Sequence, residues 1–204
     1  MNRIITVGRQ FGSGGREFGK RLADELGCPY YDREIMAEIA KRTELAEEYV
    51  HQVVEQHPVY QFPITVGRTL HSGVSDDLMR QYASIYAEQA NAICDLAKKS
   101  DCVIVGRCAD YILRDVEPTR IFVYADLESR MARCRAKGSE SEALSDRQLR
   151  RKILSVDRAR ARYYRYYTGQ AWGDRSNYDI CINTSNTNIK AVAHALATML
   201  RAEE

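Results

Sequence analysis

The sequence predicts an α/β fold in which a parallel sheet is covered by helices on both faces, and two observations carry that prediction. Short apolar, β-branched runs alternate with helical stretches along most of the chain. Strands apolar on every residue are buried on both sides, which βαβ crossovers bring about. In addition, the loops "GRQFGSGG", "GRCAD" and "NTSNTN" each follow a strand directly. Open parallel sheets bind their ligands outside the carboxyl ends of strands.

The elements follow in order. "RIITV" (3–7) is a first buried strand, and residues 16–26 a helix with Phe18, Leu22 and Leu26 on one face, closed by Gly27. "CPYYD" (28–32) is a short strand or extended turn. Helices are expected at about 33–42 and 44–56, the second capped by Thr43. Residues 57–75 hold two Pro and two Gly without a period and read as a loop or mobile segment. Ser75, Asp76 and Asp77 then open a long helix to about Lys99. "DCVIVG" (101–106) and "RIFVYA" (120–125) are strands, and Asp126 caps a helix running to Lys137. A helix over about 145–166 leads to a last strand, "YDICIN" (178–183). The final helix, 188–201, turns Ile189, Val192, Ala193, Leu196 and Leu200 inward.

Composition narrows the class. The chain has 204 residues, 45% of them hydrophobic, enough for one domain with a real core. Thirty Lys and Arg against 28 acids leave a net charge of +2, which excludes a general nucleic-acid or membrane-surface signature. No apolar stretch approaches the roughly 20 residues of a membrane helix. "MNRIITVG" enters a strand pattern at once, too short an apolar run for a signal peptide. The cysteines at 28, 94, 102, 108, 134 and 181 lack CxxC spacing and read as small buried hydrophobes. A reduced, cytoplasmic protein is expected.

Residues 8–20, "GRQFGSGGREFGK", place glycines at 8, 12, 14 and 15 between a strand and a helix. That layout suits phosphate, because glycine lets the backbone approach and the helix N-terminus supplies N–H groups and partial positive charge. The usual loop, G-x-x-x-x-G-K-[ST], continues with a lysine. Here Gly14 is followed by Gly15, Arg16 and Glu17. On the loop alone, a strained turn and a phosphate site both stay open. Arg16 and Arg9 are cations suited to phosphate, and Ser13 offers a hydroxyl. Glu17 is read first as a residue that favours the helix's first turn.

Residues 146–165 carry eight cations (Arg147, Arg150, Arg151, Lys152, Arg158, Arg160, Arg162 and Arg165) against two acids. A solvated face is the plain reading. So many like charges repel one another, however, and phosphates would relieve them. The tyrosines of "YYRYYTGQAW" suit base stacking and packing equally. Gly106 and Arg107 of "GRCAD" fall at a strand's carboxyl end, where an arginine can hold an acceptor's phosphate.

Taken together, "ITVGRQFGSGGREFGKRLADELGCPYYDREI", "VIVGRCADYIL", "RIFVYADLESRM" and "VDRARARYYRYYTGQAWGDRSNYDICINTS" resemble the cytidylate kinase-like family. The resemblance runs in order over nearly the whole chain and is weakest at 57–95. It implies a P-loop NTPase-like, three-layer αβα domain over 1–204, with a helical acceptor-binding insert at about 33–99 and a helical lid at about 139–175. It implies transfer of a phosphoryl group from ATP, with Mg²⁺, to a nucleoside monophosphate, nominally CMP or dCMP. Gly12, Ser13, Gly14, Gly15, Arg16 and Glu17 would then bind ATP phosphates, with Asn183, Thr184 and Ser185 near the adenine. Tyr31, Asp32, Arg33, Gly106 and Arg107 would bind the acceptor. Arg16, Asp157, Arg158, Arg160 and Arg162 would serve catalysis, with Arg160 the first choice for the transferring phosphate. The sequence departs from the family's nucleotide kinases at the loop lysine and at Cys108, where cytidylate kinases carry an acid. A nucleotide-sensing module without turnover, a kinase for a non-nucleotide acceptor, and an RNA-binding arginine-tyrosine stretch are the competing readings. No partner in a membrane is expected, and nucleic acid ranks last.

Overall fold

The computed structural model describes residues 2–51, 53–54, 74–138 and 144–202, with backbone alone for 74–79. Five strands form one parallel sheet: β1 (Ile4–Arg9), β2 (Tyr30–Tyr31), β3 (Cys102–Val105), β4 (Thr119–Tyr124) and β5 (Ile180–Asn183). Their order is β2-β3-β1-β4-β5. Strand β1 lies at the centre, with Val7 opposite Val105 on one side and Ile121 on the other.

The pleat sorts the side chains. Ile5, Val7, Val103 and Val105 face one side, where they pack on Phe18 and Leu22 of α1 (Gly15–Leu26) and on Ala193, Leu196 and Leu200 of α8 (Ile189–Ala202). Ile4, Cys102 and Ile104 face the other. There they meet Ile35 and Ile39 of α2 (Glu34–Thr43), Val50 of α3 (Glu47–His51), and Ile85 and Ile93 of α4 (Val74–Lys99). Two independent apolar layers on one sheet are what a run without polar alternation requires. Fully burying a side chain such as Phe18 or Ile104 contributes about 1.5–3 kcal/mol.

A third cluster joins two further helices, α6 (Leu127–Ala136) and α7 (Asp146–Thr168), through Cys134, Leu149 and Ile153. Phe11 of the glycine loop packs on that cluster. A single-turn helix, α5 (Ala109–Ile112), follows β3.

The helix ends follow local chemistry. Gly27, at φ 69°, ends α1. Asp126 caps α6 by accepting the Ser129 N–H at 2.7 Å. Ser145 and Gln148 close a reciprocal capping box on α7, which runs two residues beyond the expected end, to Thr168. Thr43 corrects the expectation. It is the last residue of α2 rather than a cap, because its hydroxyl donates back to the Ile39 carbonyl at 2.8 Å. Glu44, at φ 55°, terminates that helix, and within the expected 44–56 helix Glu47–His51 is α-helical, while residues 52, 55 and 56 lie outside the described residues. Helix α4 already includes Val74 and Ser75. The loop expected over 57–75 otherwise lies outside the described residues, as does the side-chain cap expected of Ser75, Asp76 and Asp77.

Candidate active site

Strand β1 ends at Arg9, and the chain turns through Gln10–Gly14 into α1. The loop is held from beneath. Gln10 donates its N–H to the Val123 carbonyl at 3.0 Å and accepts the Ala125 N–H on Oε1 at 3.2 Å. Asp157 accepts the Phe11 N–H at 2.8 Å, while Arg130 donates to the Phe11 carbonyl at 2.7 Å and pairs with Asp157. Thr184 donates its hydroxyl to the Ser13 carbonyl at 2.7 Å. Gly14 caps α1 at φ 82° with no side-chain bond, so the first N–H groups of that helix have no partner within it.

Above the loop is a cleft of about 200 Å³ lined by Gly12, Gly14 and Gly15 and by five cations: Arg9, Arg16, Arg133, Lys137 and Arg160. The sequence pointed to Arg9, Arg16 and Arg160. It did not point to Arg133 and Lys137, which are four apart at the end of α6. Their only signal was that spacing beside the carboxyl end of β4.

A second, narrower cleft opens beside the first at the end of β3. Arg9, Arg107, Arg160, Asp110, Tyr164 and Trp172 are among its walls. Gly106, Arg107 and Cys108 are all left-handed, at φ 72°, 59° and 54°. Two consecutive non-glycine residues in that region are costly and persist only where their surroundings hold them. Gln89 of α4, fully buried, supplies the hold: its Nε2 donates to the Arg107 carbonyl at 2.9 Å, and its Oε1 accepts the Tyr163 hydroxyl at 3.2 Å. Sequence reasoning missed Gln89, whose one signal was a polar residue within a helix's buried face.

Cys108, where cytidylate kinases carry an acid, is a buried thiol pushed well above its ordinary pKa by desolvation. The cleft's carboxyl comes instead from Asp110, which accepts the Tyr164 hydroxyl at 2.6 Å. Burial raises the Asp110 pKa, and the Tyr164 hydrogen bond works against that rise. The tyrosines mostly pack: Tyr86 and Tyr167 stack at 3.9 Å, and Tyr163 and Tyr164 are buried in the core.

Asp32 is buried between two arginines, with Oδ2 at 2.8 Å from Arg16 Nε and Oδ1 at 3.5 Å from Arg9 Nη2. Tyr31 packs on the core and Arg33 is exposed, and neither is among the residues lining the two clefts. Ser13 is buried, its hydroxyl donating to the Gln10 carbonyl at 2.9 Å. Glu17 pairs with Arg21 one turn on, at 2.9 Å. Asp157 is spent on the loop and Arg130, and Arg158 and Arg162 are exposed. Asn183, Thr184 and Ser185 form a hydrogen-bonded turn behind the glycine loop, with Thr184 fully buried. Arg160 is the member of the arginine run that lines both clefts; it also donates to the Arg9 carbonyl at 3.3 Å.

Among the described residues, no helix is long and apolar enough to cross a membrane. No curated protein matches the sequence significantly. Among solved structures, an uncharacterized protein from Eubacterium ventriosum shares 24% identity at a TM-score of 0.71, over 98% of this chain and 99% of its own. Shikimate kinase from Bacteroides thetaiotaomicron shares 16% at 0.58, over 98% and 99%. A sugar kinase from Janibacter sp. HTCC2649 shares 14% at 0.52, over 98% and 95%. At these identities the likeness establishes the fold, which is that of P-loop kinases. The model of the cytidylate kinase-like family matches residues 4–186. With a parallel sheet, a glycine loop at its centre and a family match over most of its length, the chain belongs to the cytidylate kinase-like family, whose chemistry is phosphoryl transfer.

Proposed function

We propose that the protein transfers the γ-phosphoryl group of ATP to a nucleoside monophosphate, with CMP or dCMP as the nominal acceptor. The observation that carries this reading is that two adjoining clefts, one over the glycine loop and one at the end of β3, share Arg9 and Arg160. Phosphoryl transfer needs in-line placement and positive charge on the equatorial oxygens more than covalent help. Two arginines at the junction of donor and acceptor clefts supply that charge. Arginine cannot lose it near neutral pH.

In this reading the α1 N–H groups and residues 12–16 hold the donor phosphates, with Arg16, Arg133 and Lys137 around them. Arg107 binds the acceptor's phosphate, aromatic walls border its base, and Arg160 meets the transferring group. The stretch 33–99 acts as acceptor-binding insert and 139–175 as lid, whose closure excludes water and suppresses ATP hydrolysis. Asp157 acts by positioning the loop. Asn183 and Ser185 lie toward the adenine, and Thr184 supports the loop from behind through its bond to the Ser13 carbonyl. Among the described residues no cluster of three or more acids, Cys or His would cage a metal. Mg²⁺ enters with the substrate, carried on the ATP phosphates and water as P-loop sites commonly hold it. No membrane partner enters the scheme.

The test is ATP turnover with Mg²⁺ against CMP, dCMP, UMP, AMP and GMP, with a no-acceptor control and products separated by chromatography. Formation of a diphosphate from one acceptor is the expected result. ATP binding without product from any nucleotide would move the acceptor outside the nucleotides or leave a sensor.

A further inference from the structure

We propose that Arg9, rather than Arg16, is the cation that takes over the loop lysine's task, and that residue 15 is glycine because the Arg9 side chain fills the space a lysine there would enter. The inference deepens the phosphoryl-transfer reading and rests on it.

The loop lysine ordinarily follows directly on the loop's closing glycine, here Gly14, so its place in this chain is position 15. A Cβ on Gly15 would lie 2.4 Å from Arg9 Cβ, 3.1 Å from Arg9 Cγ and 3.3 Å from Val123 Cβ. The nearest of these atoms is anchored to the β1 backbone and cannot swing aside. An arginine at 9 and any side chain at 15 therefore exclude each other. The other end of Arg9 is enclosed as closely. A Cβ on Gly106 would lie 1.6 Å from Arg9 Nη1 and 2.7 Å from its Cζ, so the guanidinium rests against the backbone at the end of β3. Two glycines far apart in sequence thus form a slot for one side chain.

The slot aims the charge. Arg9 is 6% exposed and spans from beneath the donor loop to the acceptor cleft, lining both. Arg16 lines the donor cleft, its side chain 40% exposed, and meets Asp32 through Nε. Two arginines on one carboxylate leave a net positive charge beside the loop, and Asp32 holds Arg9 in place without cancelling it. A lysine on the loop would reach the outer phosphates from the donor side. Arg9 reaches the same point from the strand below, where the phosphoryl group passes between clefts.

The experiment measures ATP and ADP affinity by calorimetric titration. Arg9→Gln keeps the stem and removes the charge. It is expected to weaken ATP about tenfold or more, and ADP by less than about threefold, since the lost bond is to a charged group on the γ-phosphate. Equal weakening of both nucleotides, or of neither, would overturn the proposal. A relocated charge guards against a misfolded single variant. Arg9→Gly with Gly15→Lys should bind ATP at least about tenfold more tightly than Arg9→Gly alone, because the cation returns by the usual route. No recovery would overturn the proposal too. Wild-type protein that binds neither nucleotide sinks both this inference and the kinase reading. If wild-type protein binds ATP but phosphorylates no acceptor, only the kinase reading falls, and the ATP–ADP difference still decides Arg9.

Discussion

Arg160 differs from the other arginines of α7, all of which are exposed, because its side chain turns under Phe11 and toward the β1 terminus. Arg160→Ala is expected to lower turnover by a factor of ~10³ or more, as loss of an arginine at the transferring phosphate does. Steady-state rates within about tenfold of wild type would remove it from that role. Asp110 supports a prediction about pH. Burial raises its folded pKa above the ordinary value of 3.8, so its contribution to stability is fully present below that value and is lost as pH rises through the raised one. Asp110→Asn has no such loss. The melting temperature of the variant relative to wild type should therefore climb as pH rises above 3.8, as thermal unfolding at a series of pH values would show. Single residues of this kind were unevenly legible. Arg9 and Arg107 stood beside recognisable loops and Arg160 within an arginine-rich run, whereas Gln89, which holds the Arg107 carbonyl, and Arg133 and Lys137, which line a cleft, come from helices whose own sequences carry no ligand pattern.

At the scale of elements, the glycine loop owes its shape to a staple between helices. Arg130 of α6 and Asp157 of α7 pair with side chains 5% and 13% exposed, and each also binds the backbone of Phe11. Asp157→Ala leaves a buried guanidinium uncompensated and should cost about 3–5 kcal/mol in urea unfolding. It should also raise the KM for ATP, because the loop loses its anchor. A loss under about 1 kcal/mol would mean that Asp157 is not holding the loop. The element boundaries show how far local patterning reaches. Gly27, Asp126 and the long α4 read correctly because their signals are local. Thr43 did not, because a threonine hydroxyl serves a helix end by back-bonding as readily as it caps the next helix.

At the scale of the molecule, two apolar layers on one sheet place the carboxyl ends of β1, β3 and β4 along a common edge, and both clefts open there. Ile104, fully buried at the centre of one layer, should cost about 2–5 kcal/mol when replaced by Ala, measured by chemical denaturation. Ligand binding should be visible in the whole fold as well. ATP at about 100 times its dissociation constant adds about 2.7 kcal/mol, or roughly 5–10 °C in melting temperature for a chain of this size. No shift at saturating MgATP would argue against nucleotide binding altogether.

The sequence by itself determined the alternation of apolar strands and helices, the glycine loop and the arginine beside the β3 terminus. Those properties are local, written in periodicity, in backbone-permissive residues and in loops that follow strands. Only the tertiary structure decided which cations meet. Exposed and cleft-lining arginines have the same composition on α7, and the folding of α6, α7 and β1 around one loop brings Arg160, Arg133 and Lys137 to the cleft while leaving Arg158 and Arg162 in solvent outside it. The glycine at position 15 shows the same division. In the sequence it is a missing lysine; in the fold its place is taken by a side chain from six residues earlier, because two atoms cannot share the space beside one Cα.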